Sequence, residues 1–184
     1  MRYIRWQFLV ATLGLLLLVF LLGYSAYSFT SEIIPARGGI YVEGIAGSPQ
    51  AINPLFCQLN DPDRDLCQLI FEGLTALDEH GNVVPALAER WEISPDGIRY
   101  RFYLRQDILW HDGAPFTARD VVFTINAIKH PDFPGLPDLA DLWRAVDVTT
   151  LDDYIVEFTL SEPFAPFLDF TRQGILPAHL WESV

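Results

Sequence analysis

The pattern of apolar and polar positions divides the chain near residue 31. An apolar run precedes that point, and short alternating or helix-spaced patterns follow it. From Trp6 to Ser31 no residue is charged, and Phe8 to Leu22 is almost continuously apolar. A helix rises about 1.5 Å per residue, so this stretch exceeds the ~20 residues that cross a hydrocarbon layer of about 30 Å. After a linker at 31–37, Gly38-Gly39 opens the folded part, and Ile40 to Ile45 reads as a strand. The Gly, Ala, Ser, Pro and Asn residues between Gly44 and Pro54 predict a loop leaving that strand.

Asp61-Pro62 predicts a helix start, with Asp61 as the cap and Pro62 in the first turn. Leu66, Leu69, Ile70 and Leu74 fall at i, i+3, i+4 and i+8 and predict one apolar face turned into a core. Gly73 is placed to close that helix in the left-handed conformation. A strand at Leu74 to Leu77, a turn at 78–82, and Val83-Val84-Pro85 leading into a brief helix through Glu89 come next. From Trp91 the period becomes two: Trp91 to Ser94 and Arg99 to Leu104 form a hairpin around Pro95-Asp96-Gly97. Thr117 and Asp120 make a capping box for a helix to Lys129 that buries Val121, Val122, Ile125 and Ile128. His130-Pro131 stops it, and residues 131–142 read as a Pro-rich loop with one helical turn. A second hairpin joins Val146 to Thr149 with Tyr154 to Leu160. An aromatic turn and short helix at Pro163 to Phe170 follow, and a new helix begins at Leu176 to His179.

Charge alters the picture at both ends. The chain carries 24 acidic and 12 basic residues, a formal −12, and from Gly38 onward 9 basic stand against 23 acidic, a net of −14. Such a surface repels phosphate backbones, which excludes nucleic acid as a partner. Arg2 and Arg5 sit on the short side of the apolar run, so the positive-inside rule places the N-terminus in the cytoplasm and the remainder outside. The run itself has two readings, an uncleaved anchor, which its length favours, and a cleaved secretory signal. Tyr24 and Tyr27 interrupt the small residues that a cleavage site needs.

Cys57 and Cys67 are the only cysteines, in a segment where oxidation is permitted; they can pair or remain two buried thiols. His80, His111, His130 and His179 are scattered singly and make no ligand-spaced motif with them, so no metal or other cofactor is expected. His111-Asp112 invites a hydrolase reading, but adjacent residues rarely face each other and no nucleophile motif occurs, so no catalytic residue is assigned.

One ordered series remains: Asn53-Pro54-Leu55, Ile70-Phe71-Glu72-Gly73-Leu74, and Pro85-Ala86-Leu87-Ala88-Glu89 with Trp91. Then come Trp110-His111-Asp112-Gly113-Ala114-Pro115-Phe116-Thr117-Ala118-Arg119-Asp120-Val121, Val156 to Leu160 with Pro163-Phe164, and Ile175-Leu176-Pro177. In this order the chain resembles the extracytoplasmic solute-binding proteins of the oligopeptide, dipeptide and nickel ABC importers, from about Gly39 to Trp181.

The resemblance implies an α/β fold of the type II periplasmic-binding-protein kind, with only part of the first lobe present, preceded by one transmembrane helix. It divides the chain into an anchor or signal segment at 1–30, a linker at 31–37 and a partial lobe at 38–184, an N-terminal fragment of a longer receptor. It also implies capture of a peptide or other small solute, delivery to a membrane ABC permease, a monomer, and no enzymatic activity. By correspondence with the family, Gly44, Ile45 and Ala46 are the residues whose backbone meets an extended ligand. The segment Leu136 to Trp143 is expected either near the cleft or packed in the lobe, with Trp143 in the core. Two other readings are a membrane-tethered interaction or sensory module, and an anchored hydrolase using His111 and Asp112.

Overall fold

A computed structural model describes residues 2–30, 38–40 and 42–182, in two compact units divided after Glu43. The expected linker at 31–37 lies outside the described residues. In the first unit, α1 runs Arg2–Thr30 as one uninterrupted helix. Its segment Phe8–Ser28 has a mean hydropathy of 2.4, and at about 1.5 Å per residue its 21 residues reach the thickness of a bilayer core. The strand expected at Ile40 to Ile45 is not formed among the described residues; Tyr41 lies outside them. Ile40 and Val42 are exposed, and an extended segment with no neighbouring strand has nothing to complete its hydrogen bonds.

The second unit is built on a four-stranded antiparallel sheet, β3 (Ala88–Ile93), β4 (Arg99–Leu104), β5 (Val146–Asp152) and β6 (Ile155–Leu160), in the order β3-β4-β6-β5. Both hairpins expected from the alternation are present, and the register places Trp91 beside Phe102 and Phe102 beside Val156. Period two puts Tyr100, Phe102, Leu104, Val156, Phe158 and Leu160 on one face, all buried. The other face carries charged and polar side chains: Arg101 pairs with Glu157 at 2.7 Å, and the Arg90 guanidinium lies 3.3 Å above the Tyr103 ring.

Helix α3 (Ala118–Lys129) covers the apolar face with Val121, Ile125 and Ile128, while Val122 is half-buried. Helix α4 (Pro137–Arg144) adds Ala140 and Trp143. Four rings meet at the centre: Phe158 lies 5.5 Å from Phe102, 5.8 Å from Trp143 and 5.6 Å from Phe167 between ring centroids. Fully burying an aromatic of this size stabilises by roughly 2–3 kcal/mol, so this cluster dominates the core. A two-stranded sheet, β1 (Thr75–Leu77) with β2 (Val83–Pro85), stands apart in the pairing order. Short helices α5 (Phe167–Phe170) and α6 (Ala178–Trp181) close the described chain.

Expectations change in three further segments. Helix α2 (Asp61–Ile70) forms where expected, but its cap is Asn60, and it buries Pro62, Asp63 and Cys67. Leu69 is 81% exposed and Ile70 39%, so these two positions of the anticipated apolar face lie outside the core, while Leu66 is half-buried and Leu74, past the helix end, is buried. Two tertiary ties set this rotation: a Cys57–Cys67 disulfide, and hydrogen bonds from the Gln50 and Ala51 N–H groups to the Asp63 carboxylate. The helix also ends at Ile70 with Phe71 extended, and Gly73 is not left-handed. Gly73 is required for another reason, because a Cβ there would lie 2.5 Å from the Arg172 carbonyl carbon.

No helix leads to Glu89. The N–H groups of Ala86 and Ala88 both bond across to the Leu74 carbonyl, holding the chain extended between β2 and β3. Where the sequence predicts a loop with one helical turn at 131–142, a two-turn helix forms, α4 at Pro137–Arg144, with Pro137 in its first turn, where a missing N–H costs nothing.

Candidate functional site

Gly44, Ile45 and Ala46 open the second unit as an exposed, irregular segment. Their backbone groups make no hydrogen bond among the described residues, which leaves them available to an extended partner. The loop behind them is held firmly. Gly47 takes φ +115°, and Pro62 would sit 2.9 Å from a Cβ at that position. The Asn60 side chain donates to the Ser48 carbonyl at 3.2 Å, and Asp63 accepts from Gln50 at 2.7 Å and from Ala51 at 3.0 Å. Burial raises the cost of charging Asp63, yet these two N–H groups and the Asn60 side chain outweigh it and hold the carboxyl below its ordinary value. The candidate residues are therefore free at the tip of a fixed base.

Beside α2 lies an open concavity of about 660 Å³, within the size range of small-molecule sites. The disulfide lines it, with the Cα atoms of Cys57 and Cys67 6.4 Å apart. Arg64 and Glu72 contribute from the α2 side, Asp169 from α5, and Arg172 from the segment that follows it. Gly44, Ile45 and Ala46 do not line it. Of the segment expected near a cleft, Leu139 reaches this wall, whereas Trp143 is fully buried in the core. No sequence pattern pointed to Arg64 or Arg172, because they come from segments about a hundred positions apart and neither belongs to a spaced motif.

The Trp110 to Val121 signature is structural. The Asp120 carboxylate accepts the Thr117 N–H at 2.9 Å and the Trp110 indole N–H at 3.3 Å, tying the Gly113 turn to the first turn of α3. The reciprocal half of the capping box, from the Asp120 N–H to the Thr117 side chain, is also present. Asp112 meets His179 Nε2 at 2.6 Å. That contact, with the Ala114 N–H, lowers the Asp112 pKa. His111 and Asp112 are thus not a catalytic pair. Among the described residues no group of three or more His, Cys, Asp or Glu is placed to hold a metal ion.

Comparison with known proteins gives this arrangement its context. Residues 82–179, more than half of the chain, match the model of the bacterial extracellular solute-binding proteins, family 5 middle. The chain belongs to this family.

Among family 5 relatives, the dipeptide-binding protein of Escherichia coli strain K12 is 34% identical over 170 residues, covering 80% of this chain and 30% of its own length. The probable deoxycholate-binding periplasmic protein YgiS of the same organism is 40% identical over 130 residues, covering 60% and 24%. The family 5 fold is recovered as well. NikZ from Campylobacter jejuni, in complex with Ni(L-His), superposes with a TM-score of 0.66 at 37% identity, over 74% of this chain and 27% of that one. The oligopeptide-binding protein AppA of Bacillus subtilis, in complex with a nonapeptide, gives 0.68 at 29% identity over 75% and 27%. The architecture is that of the type II periplasmic binding proteins, and the chain spans about a third or less of the length of these relatives. They are binding proteins, which agrees with a fold whose signature residues serve packing.

Proposed function

We propose that this chain is the membrane-proximal part of a substrate-binding component of an ABC importer, which captures peptides or similar small solutes outside the cytoplasm and hands them to a membrane permease. The observation that carries this reading is the family 5 match over residues 82–179. Residues 1–30 act as a single-pass anchor with the N-terminus inside, 31–37 as a tether, and 38–184 as part of the first lobe of a monomeric receptor. The apolar span Phe8–Ser28 with Arg2 and Arg5 on its short side supports that orientation.

Gly44, Ile45 and Ala46 meet the ligand through main-chain hydrogen bonds, supported by their free backbone and the fixed base behind them. A peptide is the favoured solute because the dipeptide-binding protein of E. coli and AppA, whose complex holds a nonapeptide, are among the relatives.

A chimera tests the proposal. Residues 44–182 replace the matching segment of the E. coli dipeptide-binding protein, and growth is followed on a dipeptide that supplies a required amino acid. Restored growth supports the reading. An exported, folded chimera that transports nothing sinks it.

A further inference from the structure

Helix α2 is tied to the body at two points. At its start the Asp63 carboxylate accepts the Gln50 and Ala51 N–H groups. In its last turn Cys67 is joined by the disulfide to the 3-10 turn Cys57–Leu59, which is also its principal packing neighbour. That last turn stands as a partition between two hollows. On one side lies the 660 Å³ concavity, lined by both cysteines. On the other lies a gap of about 290 Å³, bordered by Leu69 and Ile70 from the helix and by Leu87, Leu109, Trp110 and Phe116 from the body. Gln68 and Glu72 border both hollows. Leu69, Ile70 and Leu109 are exposed although they face one another across the smaller gap, and closing it removes apolar surface from water. An element whose own apolar pattern disagrees with its tertiary placement has a second arrangement within reach.

We propose that the Cys57–Cys67 bridge is a redox latch: it holds the last turn of α2 toward the larger concavity, and its reduction by a dithiol lets that turn swing about the Asp63 clamp onto Leu109 and Trp110, closing the smaller gap and widening the larger one. The chemistry is thiol–disulfide exchange. One thiolate of the dithiol attacks a cysteine sulfur, the other cysteine leaves as a thiolate, and the second thiol of the reductant then displaces the first cysteine from the mixed disulfide. Two electrons and two protons pass to the protein, which ends with two thiols, and the reductant leaves as its own disulfide. Cys57 and Cys67 are nearly buried, and the open concavity that both line is the route by which the dithiol reaches them. The bridge thus couples redox state to the width of the concavity, whatever solute the receptor captures.

The test uses the full chain in lipid nanodiscs, oxidised, reduced with dithiothreitol, and as the double variant Cys57→Ser/Cys67→Ser. Hydroxyl-radical footprinting read by mass spectrometry should show labelling of Leu69 and Leu109 falling at least fivefold in the reduced and double-variant proteins. The Gln50 and Ala51 amides should keep their hydrogen-exchange protection, because the clamp is the pivot. Leu69→Glu, at an exposed position of the oxidised protein, should hold Leu109 labelling at the oxidised level even after reduction. Unchanged labelling of Leu69 and Leu109 overturns the latch. So does increased labelling together with lost protection at Gln50 and Ala51, which means that α2 melts and does not swing. A bridge that dithiothreitol leaves intact in the folded protein overturns it too; the chimera judges the receptor reading separately in every case.

Discussion

The carboxylate of Asp120 accepts the backbone N–H of Ala178 at 2.8 Å across 58 positions of sequence. Its second oxygen caps α3 and takes the Trp110 indole, and one helical turn further on Thr124 Oγ1 accepts the Leu176 N–H at 2.9 Å. One buried acid thus joins the signature turn, the helix start and the segment entering α6.

Replacing Asp120 by Asn keeps the shape but leaves one strong acceptor where two stood. A buried N–H then loses its partner, at a cost of about 2 kcal/mol. Urea unfolding of D120N should show a lowered midpoint with an unchanged slope. A wild-type midpoint would show that the junction is not structural.

Phe158 is fully buried and touches three other rings. Phe158→Ala removes that volume from a core with little room to collapse, and roughly 3–5 kcal/mol of stability should go with it. Differential scanning calorimetry of the two proteins measures the difference.

The Cys57–Cys67 bridge closes a loop of about ten residues, for which chain entropy predicts a contribution of roughly 2–3 kcal/mol. The double variant Cys57→Ser/Cys67→Ser should melt lower than the oxidised protein and no longer respond to dithiothreitol. If the reductant leaves the melting temperature of the native protein unmoved, the bridge does not stabilise the fold.

Asp63 supplies a pH prediction with a definite sign. Its folded pKa lies below the unfolded value of about 3.9, because the Gln50, Ala51 and Asn60 donors outweigh its burial. A carboxyl depressed in this way adds stability above the unfolded pKa and loses it as the pH falls through the folded one. Melting temperature should therefore drop below about pH 4, and the drop should be shallower in Asp63→Asn. Parallel acid profiles for the two proteins would remove Asp63 from the account.

The anchor is tested separately. An uncleaved α1 should stay in the membrane fraction through alkaline carbonate extraction, with the mass of the intact chain. Leu16→Arg, near the middle of the span, should impair insertion by about 2.5–3.5 kcal/mol on insertion scales. Recovery of a shorter, soluble chain from the wild type favours a cleaved signal instead.

What the sequence determined by itself was local. Alternation from Arg99 to Leu104 and from Tyr154 to Leu160 fixed two strands and their inner faces, the Thr117–Asp120 box fixed a helix start, and 26 uncharged residues marked one long apolar helix. These signals involve neighbours within a few positions, where side-chain period and backbone hydrogen bonding act directly. Only the tertiary structure decided which side of α2 is buried, because the Asp63 clamp and the disulfide outweighed the Leu66, Leu69 and Ile70 stripe. It alone showed that Gly73 makes room for the Arg172 backbone, that Asp112 meets His179 and not His111, and that Arg64 and Arg172 share a cavity. Each of these depends on two segments far apart in sequence meeting in space, and no periodicity within either segment encodes where the other will lie.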